Sequence, residues 1–119
     1  MATYTKKILS ASTDGRPILV ATTASAGTTI HTGSATAATL QEVWLYASNP
    51  NSTQYTLTVQ FGGTTAINDD IVIPIQPQAG LFLISPGLIL KGNATPLVIR
   101  AYASTANRIT ITGYINEIA

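Results

Sequence analysis

The chain has 119 residues, no cysteine, a net charge of +1 and 9% charged residues, against about 25% in an ordinary domain. That length suits one domain with a real hydrophobic core, and the lack of cysteine excludes disulfides and thiolate metal sites. Apart from Lys6-Lys7 the cations are scattered, so neither a nucleic-acid stripe nor, with apolar runs such as Leu81–Ile84 only a few residues long, the ~20-residue helix of a membrane partner is expected.

Residues 1–15 are polar and end on the turn signal Thr13-Asp14-Gly15. They are expected to form an N-terminal arm, with a short strand around Thr5–Leu9, that a neighbouring subunit or partner could pin. No long apolar segment follows Lys6-Lys7, so no secretory signal is expected. Residues 16–119 are expected to form a single β-sandwich domain. Arg16–Ala24 reads as its first strand, Thr28–Gly33 as a threonine-rich return holding the single histidine, His31, and Ser34–Thr39 as a loop.

Leu40–Ser48 is the most aromatic strand: Val43, Leu45 and Ala47 share one face, and Glu42, Trp44 and Tyr46 the other. Asn49-Pro50-Asn51-Ser52 is a strong turn signal. Tyr55–Phe61 then alternates with Tyr55, Leu57, Val59 and Phe61 inward and Thr56, Thr58 and Gln60 outward, so that Leu40–Ser48 and Tyr55–Phe61 are expected to pair as a hairpin. After the Gly62–Asp70 loop, Ile71, Ile73 and Ile75 line one face; Pro74 lacks an amide donor and places this strand at a sheet edge or on a bulge. Leu81–Ser85 and Leu88–Leu90 are expected to be two strands separated by a turn at Pro86-Gly87.

Two alternating runs, Leu97–Ala103 and Arg108–Ile118, flank the small polar bend Ser104–Asn107, which has the composition of a hairpin loop. Ile109, Ile111 and Ile115 fall on one face of the last run, and Thr110, Thr112, Tyr114 and Asn116 on the other. About eight or nine short strands with no helical period predict an all-β, single-domain antiparallel β-sandwich or jelly roll.

No residue pattern supplies chemistry. His31 has no GxSxG elbow to serve and is expected to be structural or exposed. Asn68-Asp69-Asp70 lacks the spacing of a calcium loop and reads as a capped turn, and Gly62-Gly63 lacks the strand–loop–helix context of a phosphate loop. Catalytic, cofactor and metal residues are therefore expected to be none. The remaining feature is aromatic: Trp44 and Tyr46 oppose the aliphatic set of their strand, as Tyr114 does near the C-terminus, and aromatics concentrate in interfaces and sugar sites.

The segments EVWLYASN (42–49), LTVQFGGTT (57–65), IPI (73–75), PGLIL (86–90) and IRAYASTANRITITGYINEI (99–118) together resemble small virion proteins of tailed bacteriophages, of the capsid decoration or cement kind. The resemblance spans roughly Leu40 to the C-terminus. It implies a sandwich or jelly roll on the outer surface of the capsid, made in the host cytoplasm, self-associating commonly as a trimer, and clamping the major capsid protein. On that reading the partner interface is expected to include Tyr4, Lys6 and Lys7 of the arm, Trp44 and Tyr46, and Thr110, Thr112 and Tyr114. The alternatives are another virion position, at the neck, tail or fibre base, and a carbohydrate-binding module using Trp44 or Tyr46 as a stacking platform.

Overall fold

Alternating β-branched and polar residues build strands here because each pleat sends one set of side chains to the core and the other away from it. The computed structural model describes residues 2–119, which form nine strands and no helix: β1 (Tyr4–Ile8), β2 (Ile18–Leu19), β3 (Thr28–Thr32), β4 (Leu40–Ser48), β5 (Tyr55–Phe61), β6 (Asp70–Ile75), β7 (Phe82–Lys91), β8 (Val98–Ala103) and β9 (Thr110–Ile118). Two antiparallel sheets result. Sheet A is ordered β1-β9-β4-β7, with β2 also on β9, and sheet B is ordered β3-β8-β5-β6. The fold is an all-β antiparallel β-sandwich, as the strand pattern predicted.

The core lies between the sheets. Val43, Leu45 and Ala47 from β4, Leu57 and Val59 from β5, Ile99 and Ala101 from β8, and Ile109, Ile111 and Ile115 around β9 are all fully buried. The expected inward faces of β4, β5 and the C-terminal run are thus the observed ones. Pro74 lies on β6, an edge strand, where its missing N–H leaves no ladder bond unmade.

Several connections differ from the expected ones. β4 and β5 are not a hairpin: β4 pairs with β7 and β9, while β5 pairs with β6 and β8. Nor are β8 and β9, which lie in opposite sheets. Both bends are arches that carry the chain across the sandwich, with backbone groups bonded to the flanking sheets. Asn107, in the left-handed region at φ 62, donates its N–H to Val20 O at 2.9 Å, and Ser104 donates to Thr56 O at 2.9 Å. Asn49 is 1% exposed and organises the other arch, its Oδ1 accepting from Asn51 N at 3.1 Å and its Nδ2 donating to Thr53 O at 2.8 Å and Ile75 O at 3.0 Å.

Phe82–Lys91 is a single strand, with Pro86-Gly87 inside it rather than a turn; the pairing with β4 shifts register on either side of Ser85-Pro86. An irregular ladder absorbs the proline that would otherwise break it. Thr58 and Gln60, expected outward, are nonetheless buried, at 7% and 1%, and Gln60 Nε2 donates to Ser25 Oγ at 2.9 Å from the loop that crosses this face. The run expected as a strand over Arg16–Ala24 is regular only at Ile18–Leu19. The N-terminal segment is held by its own domain: β1 pairs with β9 from Tyr4↔Ile118 to Ile8↔Tyr114, and Leu9 is buried in the core.

Candidate functional site

Residues paired across a ladder share a face, so the register of sheet A shows which side chains its outer surface gathers. One row runs Ile8–Tyr114–Trp44–Pro86 across all four strands. Above and below it run Lys6–Asn116–Glu42–Ile89 and Thr112–Tyr46–Leu83, and the two ends carry Tyr4–Ile118–Leu40–Lys91 and Leu19–Thr110–Ser48. Of the eight residues expected at a partner interface, Tyr4, Lys6, Trp44, Tyr46, Thr110, Thr112 and Tyr114 therefore fall on this one face. Lys7 does not: it pairs with Ile115, and its side chain turns to Glu117, Nζ to Oε2 at 2.8 Å.

The central row is stacked. Lys6 Nζ lies 4.9 Å from the Tyr114 ring centroid, and Tyr114 and Trp44 are nearly parallel, at 10° with centroids 6.0 Å apart. The indole then reaches Gly87, where a Cβ would sit 3.0 Å from Trp44 Cζ2 and where φ is +81°; both facts call for glycine. On β9, a Cβ at Gly113 would run into the Trp44 carbonyl, so the close approach of β4 and β9 beneath the aromatic pair also depends on glycine. Trp44 Nε1 is buried and makes no hydrogen bond among the described residues.

Electrostatically the face is sparsely charged, with Lys6 and Glu42 within it and Lys91 at the end of the Leu40 row, and Asn116 Nδ2 lies 3.4 Å from Glu42 Oε1. It is apolar instead. Tyr4, Ile8, Leu19, Leu83 and Ile89 are half of the ten large apolar residues that the described chain leaves exposed, and all lie here by register. Sequence reasoning did not single out Ile8, Leu83 or Ile89. Their signal was an apolar residue on the outward parity of a strand, which is visible only once the pairing is known.

A polar chain crosses the rim of the sandwich beside Lys7. Ser10 N donates to His31 Nδ1 at 3.1 Å, so the ring proton sits on Nε2 and is donated to Gln41 Oε1 at 2.7 Å; Gln41 Nε2 in turn donates to Glu117 Oε1 at 2.9 Å. His31 is 3% exposed, and burial, with the nearby Lys7 charge adding to it, holds its pKa below the ordinary 6.5 against the opposing pull of Gln41 and Glu117. The Lys7 ammonium and the Gln41 amide hold Glu117 below its ordinary 4.5. Its bonds join the N-terminal segment to β3, β4 and β9, which makes it a lock. Asp69, in the loop read as a capped turn, accepts from Thr65 N at 3.0 Å.

No family model matches the chain, and no curated protein or solved structure matches it.

Proposed function

We propose that this protein is a non-enzymatic structural component of a tailed-bacteriophage virion, a capsid decoration protein that lays the outer face of sheet A on the major capsid protein shell and stabilises the head. The observation that carries this reading is the uncovered apolar-aromatic face, nearly free of charge and crossed by a rigid stack. Neutral hydroxyls and amides around it, Thr110, Thr112 and Asn116, cost less to desolvate than the charges an ordinary surface would carry. A specific interface needs about 800 Å² per partner, and the four-stranded face of a chain this size is the natural place to find it. The sheet orders support the same reading. With β1 and β2 taken as one interrupted first strand, they are those of an eight-stranded jelly roll, the architecture the resemblance implies.

The test is binding of the purified protein to isolated, expanded heads, followed by imaging of the particles. Tyr46→Glu and Thr112→Arg, both half-buried and outward, are expected to lower affinity on the order of tenfold or more each, about 1.4 kcal/mol or above, with melting unchanged. Density that follows the capsid lattice supports the decoration role. A single ring at one vertex would move the protein to the neck or tail, and full occupancy by both variants would remove the face from the interface. The glycan reading gains no specific support, because Tyr114 and Gly87 already occupy positions around the Trp44 ring that a sugar platform leaves free.

A further inference from the structure

We infer that the free edge of β7 pairs with β7 of a second copy, antiparallel and about a twofold axis at Pro86, joining two A sheets into one. Five of the ten exposed large apolar residues crowd onto this edge: Leu81 at 62%, Phe82 at 47%, Leu83 at 44%, Leu88 at 42% and Ile89 at 50%. Unpaired strand edges recruit other strands unless charge, proline or brevity blunts them. The other edges are blunted: β1 carries Lys6 and Lys7, β6 carries Asp70 and Pro74, and β3 is five residues long with its isoleucine and histidine buried. β7 is ten residues long; its one proline, Pro86, is central and its one charge, Lys91, is the last residue, so from Leu81 to Leu90 the chain carries no charge.

The occupant is a second copy because the strand is complementary to itself. A twofold contact must accept its own residues, and any charge on it would meet its like. The run reads Leu-Phe-Leu, Ile-Ser-Pro-Gly, Leu-Ile-Leu. Its facing also obeys the symmetry. Leu83, Pro86 and Ile89 share the outer face through Tyr46, Trp44 and Glu42, and Phe82, Leu88 and Leu90 share the inner one through Ala47, Val43 and Gln41. With Pro86 on the axis, Leu83 meets the partner's Ile89 on the outer face and Phe82 meets the partner's Leu90 on the inner, so the large apolar pairs on either side of the bulged centre lie on matching sides. A non-hydrogen-bonded pair at the centre asks no N–H of Pro86. An edge of roughly 33 Å on a molecule 21 Å across its thinnest axis offers on the order of 700 Å² per copy, close to the ~800 Å² of a stable interface.

This pair goes beyond the virion reading and stands without it; it is twofold, where the resemblance implies threefold. The chain has no cysteine, which makes the test clean. Pro86→Cys on the axis is expected to form an interchain disulfide with its twin on mild oxidation. Leu83→Cys is not, because six residues of antiparallel offset put the two copies of that position about 20 Å apart. Sedimentation equilibrium of the unaltered chain from micromolar to millimolar concentration is expected to show a dimer, and Leu83→Lys with Ile89→Lys a folded monomer. A monomer or trimer throughout, equal cross-linking at both cysteine positions, or a dimer that survives the two lysines would each overturn the inference.

Discussion

Ile111 and Trp44 show what single side chains do in this molecule. Ile111 is fully buried on β9, and Ile111→Ala is expected to cost about 2–5 kcal/mol by denaturant unfolding; a loss below about 1 kcal/mol would refute its place in the core. Trp44 has a dual account. Its ring stacks on Tyr114, but its buried N–H is unpaired, a group that costs about 1–3 kcal/mol. Trp44→Phe keeps the stack and removes that N–H, so its stability is expected to stay within about 1 kcal/mol of the original, whereas Trp44→Ala loses the stack and is expected to unfold at clearly lower denaturant. His31 adds a pH dependence. Its folded pKa lies below the ordinary 6.5, so the neutral ring contributes stability that is complete above 6.5 and is lost as pH falls below it. Glu117 acts in the same direction from its ordinary 4.5 downward. Protonating Nδ1 sets it against the Ser10 N–H, so the Ser10 amide is expected to lose hydrogen-exchange protection before the core does as pH falls below 6.5, and His31→Gln to flatten that dependence.

At the scale of the element, β1 is the most separable piece. All five of its residues are exposed, and it adds to sheet A by ladder bonds, the Lys7–Glu117 pair and Lys6 over the Tyr114 ring. Leu9 and Ser10, immediately after it, belong to the core and to the His31 lock. Deleting residues 2–8 is therefore expected to leave a cooperative domain with a lower melting temperature. Extending the deletion through Ala11 also removes a buried leucine and the donor to His31, and is expected to abolish cooperative melting. β7 is the other distinctive element, since its bulged course at Pro86-Gly87 keeps one continuous strand where two had been expected, and a continuous strand makes a usable edge.

For the whole molecule, the order of the strands governs assembly. Only β5 and β6 are both adjacent in the chain and paired; every other ladder joins strands separated by a crossing of the sandwich. Closing such loops before any contact rewards them is slow, so folding by stopped-flow fluorescence of Trp44 is expected in milliseconds to seconds rather than microseconds. The same order places β1, β9, β4 and β7, drawn from both ends and the middle of the chain, side by side beneath one apolar face.

The amino-acid sequence by itself determined where most of the strands run and which residues face inward, down to Ile109, Ile111 and Ile115, the narrowing of the Pro74 strand to an edge or a bulge and the outward set of Trp44, Tyr46 and Tyr114. It did so because facing is a local property: alternation with a period of two is written into each strand separately. Only the tertiary structure decided which strands are neighbours. An inward-facing strand satisfies its pattern equally well beside any other, so the bends at Asn49 and Asn107 carried no signal that they cross between sheets instead of closing hairpins. The burial of Gln60 under the Ser25 loop, the His31 lock and the gathering of Ile8, Leu83 and Ile89 beside the aromatic row were hidden for the same reason. Each depends on groups far apart in the chain that meet only when the sandwich closes.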